Sequence, residues 1–142
     1  RAGENLLTLK YARMMETTSP EEYAKIAYRL PPLAPEAAKW IAEIVEISLA
    51  WEEDLVRRYP HVLRRGRPIR RSADARNVTS VETYLRGELA TCSVETLRLH
   101  AEHVRGLRKN GENGSERILD HVMRRNGFAS LDEANRKLGA RS

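Results

Sequence analysis

An all-α fold, an irregular bundle of six or seven helices, is what this 142-residue chain predicts, and three observations carry that reading. Apolar residues recur at spacings of three and four over long windows, as they do on helices with one buried face. Several segments open with a capping pattern, a short polar residue followed three positions later by Glu. Nowhere do β-branched residues alternate over the length of a strand, so no sheet is expected.

The elements follow in order. After a first apolar stretch over residues 5–18, Ser19-Pro20-Glu21-Glu22 reads as a capping box with proline at the first helical position. In such a box Ser19 accepts from the Glu22 N–H while the Glu22 side chain reaches back. Leu30-Pro31-Pro32-Leu33-Ala34-Pro35 is a stiff extended linker, because proline fixes φ and disfavours helix in the residue before it. Pro35 then opens a helix that runs to about Tyr59. Its apolar positions are Trp40, Ile41, Ile44, Val45, Ile47, Trp51, Leu55, Val56 and Tyr59. They cover a wide arc, and at roughly 37 Å this is the central helix of the bundle. Residues 60–78 read as an irregular basic loop held by Gly66 and Pro68. Helices are expected near 80–90, 93–109, 115–126 and 130–138. Thr79–Glu82, Asn113–Glu116 and Ser130-Leu131-Asp132-Glu133 supply caps, and Ser93 starts its own helix. The aromatics and methionines, Met14 and Met15 included, are assigned to core packing.

Composition narrows the function. With 41% apolar and 32% charged residues, the chain suits one globular domain over residues 1–142. It holds no apolar run of the about 18 residues that span a bilayer, so no membrane partner is expected. One cysteine, Cys92, excludes an internal disulfide framework and makes the reducing cytoplasm the expected compartment. The net charge is +5, and 20 of the 25 basic residues are arginine. Its distribution is uneven: residues 1–54 are net −4, while residues 55–73 hold seven arginines and no acid.

A short repeat also stands out. Gly3-Glu4-Asn5 recurs as Gly111-Glu112-Asn113, which carries Met14-Met15 onto Val122-Met123. Ser19-Pro20-Glu21-Glu22 then matches Ser130-Leu131-Asp132-Glu133 after a three-residue insertion. Internal repeats are read first because they reveal architecture. The second copy is preceded by a helix ending at Asn110, and the first is not. The expectation is a duplicated helical unit lacking an N-terminal half. That half, or a partner chain, would cover residues 5–18 through Leu6, Leu7, Leu9, Tyr11, Met14 and Met15.

The segment richest in chemistry is Arg64-Arg65-Gly66-Arg67-Pro68-Ile69-Arg70-Arg71, followed by Asp74 and by Thr79–Leu89. On a helix Glu82 and Arg86 are i,i+4 neighbours, and so are Tyr84 and Glu88. Gly87 costs such a helix about 1 kcal/mol relative to alanine and admits close approach of another backbone or a ligand. Arg65-Gly66-Arg67-Pro68-Ile69, Thr79-Ser80-Val81-Glu82-Thr83-Tyr84-Leu85-Arg86-Gly87-Glu88-Leu89 and Ser93-Val94-Glu95-Thr96-Leu97 together resemble the bacterial domain-of-unknown-function family 4125. Tyr11-Ala12-Arg13-Met14-Met15-Glu16 and Arg29-Leu30-Pro31-Pro32 extend the resemblance over most of the chain. The resemblance implies an additional N-terminal portion and a site among Arg67, Asp74, Glu82, Tyr84, Arg86 and Glu88. It implies no activity.

Three functional readings follow. In the first, Arg67, Arg86, Arg70 and Tyr84 hold an anionic small molecule, a carboxylate or phosphate, with Glu82, Glu88 and Asp74 as acid/base candidates. Against it, Glu82–Arg86 is equally a helix salt bridge and Tyr84 a core residue. In the second, Arg65-Gly66-Arg67-Pro68 enters an A·T-rich minor groove as an AT-hook does. In the third, the module completes a bundle with a partner chain. The sequence decides neither for nor against an enzyme, and it shows no cofactor motif. His100 and His103 share a helix face at i,i+3, but no Glu-x-x-His pair accompanies them, so no metal is expected. Cys92 reads as a small buried residue.

Overall fold

Proline sets where the central helix begins. Ala34 is extended, Pro35 takes the first helical position, and α3 (Pro35–Arg58) runs on for 24 residues. A computed structural model of the chain describes residues 2–63 and 66–141, with side chains from residue 8 onward. Among the described residues the helices are α1 (Ala2–Thr18), α2 (Pro20–Ile26), α3, α4 (Pro60–Leu63), α5 (Val81–Leu89), α6 (Val94–Lys109), α7 (Gly114–Arg125) and α8 (Leu131–Ala140). No strand occurs among them, so the fold is all-α as expected; one isolated bridge joins Ala75 and Val78. No helix among the described residues is long and apolar enough to cross a membrane.

The buried face of α3 organises the rest. Ala37, Ile41, Ile44, Val45, Ile47 and Leu49 form one core with Leu89 of α5 and Leu97, Ala101 and Val104 of α6. These are the spacings of an amphipathic helix, with Leu49 an addition to the expected set and Val56 turned out to solvent. A smaller cluster joins Leu55, Tyr59 and Leu131, where α4 and α7 meet α8. Helix α1 packs on α2 and α5. Gly87 makes that crossing possible: a Cβ there would stand 2.8 Å from Met14 Cγ and 3.0 Å from the Lys10 carbonyl. The close approach expected of Gly87 is therefore to the backbone of α1.

Caps follow the expected chemistry at three helices. The Thr96, Glu116 and Glu133 N–H groups donate to the side chains of Ser93, Asn113 and Ser130. The reciprocal arm of the last box goes from the Ala129 N–H to Glu133. Two expectations need correction. The cap of α5 is Ser80, one residue beyond Thr79, with the Thr83 N–H donating to Ser80 Oγ. Ser19 caps nothing with its side chain: the Ser19 N–H donates to the Met15 carbonyl, so α1 runs almost directly into α2.

The region expected to be wholly irregular, residues 60–78, contains a turn of helix. Tyr59 ends α3, and Pro60, placed where a missing N–H costs nothing, opens α4. The His61 N–H donates to Asn135 Oδ1, which ties α4 to α8. Beyond Gly66 the chain forms a 3₁₀ turn over Arg71–Ala73 and a tight reversal in which Asn77 has φ 67°. The two copies of the sequence repeat are not equivalent either. Gly3–Asn5 lies inside α1, whereas Gly111–Asn113 is the turn and cap before α7. Of the six side chains expected to need cover, Leu6 and Leu7 lie outside the described side chains. Met14 is buried, Leu9 and Met15 are half-buried, and Tyr11 is 49% exposed.

Candidate functional site

Helix α5 is held at its start by the loop that precedes it. The Val81 and Glu82 N–H groups donate to the carbonyls of Pro68 and Ile69, at 2.8 and 2.9 Å. With Ser80 capping Thr83, the first N–H groups of α5 are satisfied within the chain and are not available to an anion. The loop is thereby strapped along α5, and this brings Arg67, Arg70 and Asp74 beside Glu82, Tyr84, Arg86 and Glu88.

Helical geometry divides those residues. Positions two apart on a helix point in nearly opposite directions, so the pair Glu82/Arg86 and the pair Tyr84/Glu88 face different sides of α5. On the first side the polar groups bind one another. Glu82, only 6% exposed, accepts from the Arg71 N–H at 3.0 Å and from Arg86 Nε at 2.9 Å. Burial pushes its carboxyl up, but these hydrogen bonds and the arginine charges outweigh burial and hold it below the usual range. Asp74 accepts from the Ser80 N–H at 2.7 Å and from the hydroxyls of Thr17 and Thr83. Burial again pushes upward, and the hydrogen bonds again prevail. Both carboxylates are held ionised by these partners, and they join α1, the loop and α5. Arg70 points elsewhere, to Glu46 at 3.2 Å and Glu53 at 2.6 Å on α3.

The second side opens onto a cleft of about 770 Å³ between α3, α5, α6 and α7. Its wall is apolar: Trp51, Val81, Leu85, Val104, Leu107 and Ile118. Helix α7 approaches Trp51 so closely that a Cβ on Gly114 would stand 2.9 Å from the indole. Arg67, Glu88, Glu52, His100, His103 and Arg117 supply the polar groups. Arg67 lies over the Tyr84 ring, 5.0 Å from its centre, and Lys10 of α1 lies 3.8 Å from the same centre. Arg67 and Tyr84 also line a neighbouring hollow of about 490 Å³ with Tyr11, Met14 and Asn77, so the pair stands between two cavities. The Tyr84 phenol, against burial and with help from the Glu88 charge, holds Lys10 above the usual lysine value. Burial, with the His103 charge, pushes His100 down.

Three of the seven nominated residues, Arg67, Tyr84 and Glu88, thus line the cleft, and Asp74, Glu82, Arg86 and Arg70 do not. Lys10, Trp51, Glu52 and the histidines of α6 were not nominated; only the i,i+3 spacing of His100 and His103 hinted at them. Among the described residues no three His, Cys, Asp or Glu stand together as a metal site would require. Arg65, needed by the minor-groove reading, lies outside the described residues. Cys92 is half-buried against the core, with Sγ 3.9 Å from the Glu88 carbonyl.

An all-helical domain with a strapped α5 and an amphipathic cleft is the class this geometry defines. Residues 1–136 match the family described as a protein of unknown function (DUF4125), and the chain belongs to that family. Comparison with curated proteins and with solved structures returned no match.

Proposed function

We propose that the cleft between α3, α5, α6 and α7 binds an anionic small molecule, a carboxylate or phosphate, with Arg67 as its anchor. One observation carries the reading. Of the three arginines nominated from the sequence, Arg70 and Arg86 are engaged by carboxylates, while Arg67 makes no ion pair with any described residue. It is held over the Tyr84 face at the cleft with its guanidinium edge open. An arginine stacked in this way keeps its donors free for a planar or tetrahedral anion. The size supports it, since small-molecule sites commonly run from about 300 to 1,000 Å³ with mostly apolar walls and a few polar groups. If the site is catalytic, the acid/base role falls to Glu88, the one nominated carboxylate that lines the cleft.

Ligand-induced thermal stabilisation tests this, because a ligand that binds only the folded state raises its melting temperature by an amount that grows with the logarithm of its concentration over Kd. With 3-phenylpropanoate and phenyl phosphate as probes, Arg67→Ala is expected to abolish the shift, and Arg136→Ala on the far helix α8 to preserve it. Arg86→Ala is expected to lower the starting melting temperature yet keep the ligand-induced increment. Equal increments in the Arg67 and Arg136 variants would refute the assignment.

A further inference from the structure

The charges around the cleft do not suit a ligand that is only an anion. Arg67 is accompanied by two carboxylates, Glu52 on α3 and Glu88 on α5, and neither makes an ion pair with a described residue. Glu52 is half-buried. Glu88 feels the Lys10 ammonium at longer range, but Lys10 is seated against the Tyr84 ring and makes no ion pair with Glu88. Arg117, the second arginine of the cleft, is taken by Glu112. Elsewhere on the described helices Glu43, Asp54, Glu82, Glu95, Glu102, Glu116 and Asp120 have an arginine partner, while Glu16, Glu21, Glu36 and Asp132 make no ion pair with a described residue; what sets Glu52 and Glu88 apart is that they share one cleft with Arg67. An anion seated on Arg67 leaves these two carboxylates facing its own charge, and like charges in a partly desolvated cleft repel.

Resting on the anion reading above, we infer that the ligand is an amphipathic zwitterion of amino-acid or short-peptide type. Its carboxylate sits on Arg67, its ammonium is drawn to Glu52 and Glu88, and its apolar body lies against Trp51, Leu85 and Leu107. Each part of the cleft then has a complement. The ammonium donates to carboxylate oxygens that make no ion pair with a described residue. The apolar wall, with Ile118 70% exposed at its edge, is covered by the body of the ligand. A phosphosugar would cover that wall with hydroxyl groups, for which the aliphatic side chains offer no partner.

Three probes with one phenyl body separate the charges: 3-phenylpropanoate (anion), L-phenylalanine (zwitterion) and L-phenylalanine amide (cation). Calorimetric titration of the whole chain at pH 7 is expected to rank the zwitterion tightest, by about fivefold over either single-charge probe, the upper range for a partly exposed ion pair. Arg67→Ala should bring phenylalanine down to the amide. The Glu52→Gln/Glu88→Gln double variant should bring it down to phenylpropanoate, while phenylpropanoate itself binds slightly tighter. The double variant replaces side chains that make no ion pair with a described residue, so its unliganded melting temperature should match that of the parent chain, while Arg67→Ala, which loses the contact with the Tyr84 ring, should lower it slightly. Phenylpropanoate binding as tightly as phenylalanine, or a zwitterion advantage unchanged in the double variant, overturns the inference and leaves the Arg67 anion site standing. Absence of binding by both carboxylate probes, indifference to Arg67→Ala, or the amide binding tightest overturns the two together.

Discussion

Arg67 and Lys10 come to one ring: the guanidinium carbon of Arg67 stands 5.0 Å and the ammonium of Lys10 3.8 Å from the centre of Tyr84. Lys10 is 8% exposed and Arg67 is exposed. The buried cation supports the ring from α1, while the exposed one faces the cleft. Replacing Tyr84 with leucine removes the surface on which both cations rest. Exposed cation–π contacts are worth about 0.5–1 kcal/mol and desolvated ones about 2. Tyr84→Leu is expected to cost about 1–2 kcal/mol in denaturant unfolding and to weaken ligand-induced stabilisation. Tyr84→Phe keeps the ring but loses the phenol that supports Lys10, so it should cost about 1 kcal/mol in unfolding while leaving ligand-induced stabilisation nearly intact, and a large loss of that stabilisation in Tyr84→Phe would show that the hydroxyl, rather than the ring, is what matters to the ligand.

Gly87 and Gly106 make a matched pair. Both lie inside helices, where alanine is preferred by about 1 kcal/mol. A Cβ at Gly87 meets Met14 and the Lys10 carbonyl, while one at Gly106 meets nothing within 4 Å. Gly87→Ala is expected to destabilise by about 1–2 kcal/mol, the crowding exceeding the propensity gain. Gly106→Ala should stabilise by about 0.5–1 kcal/mol. Chemical denaturation of the two variants decides, and equal effects would contradict the α1–α5 crossing.

The Glu82 and Asp74 clusters set the acid limb of stability. Their carboxyls are held below the values of the unfolded chain. The stability they contribute is fully present above about pH 5 and is lost as pH falls through the lowered folded values. Glu82→Ala should cost about 2–3 kcal/mol at pH 7, since it strands the Arg71 N–H and frees Arg86. Its melting temperature should also fall less steeply than that of the parent chain below pH 4.

His100 acts in a different window. Its folded value is depressed by burial and by His103, so the unfolded chain takes up the proton first. Stability is complete above about pH 6.5 and declines below it until the folded value is reached. The surrounding charges are Glu52 and Glu88, which favour protonation, and Arg67 and Arg117, which oppose it. His100→Asn should flatten the melting-temperature profile between pH 6.5 and 5. A profile unchanged by the substitution would place the acid sensitivity elsewhere.

Much of this architecture was legible in the residues, for local reasons. Pro35, Ser93, Asn113 and Ser130 mark helix starts because their chemistry acts within three residues, and the apolar arc of α3 reports its own burial. What failed also failed locally: Ser80 rather than Thr79 caps α5 because the carbonyls of Pro68 and Ile69 reach the two N–H groups after it, a contact across a loop. The site was half legible. Spacing showed the pairs Glu82/Arg86 and Tyr84/Glu88, and the same helical period implies that they diverge. That Asp74 is filled by Thr17, or that Trp51 and Glu52 face Arg67, depends on contacts 50 residues and more apart or on the packing of four helices.

The minor-groove use of Arg67 has a separate consequence. An Arg-Gly-Arg strand reading an A·T minor groove discriminates A·T-rich from G·C-rich duplex at fixed salt, and Arg67→Ala abolishes the difference. With Arg67 resting on Tyr84, the cleft account expects no such preference and only a salt-sensitive attraction to either duplex. A clear A·T preference that depends on Arg67 would favour the DNA reading.

Trp51 offers the most direct view of the cleft. The chain has two tryptophans, and the Trp40 indole N–H is buried without a hydrogen-bond partner among the described residues, so Trp40→Phe removes an unsatisfied donor, which offsets part of the packing it loses against the core. In that variant Trp51, in the wall of the cleft, is the sole indole reporter. Titration with L-phenylalanine is expected to change the Trp51 emission saturably, and adding Arg67→Ala is expected to abolish the change. An emission that does not respond, or that saturates equally without Arg67, would contradict an anion-anchored ligand in this cleft.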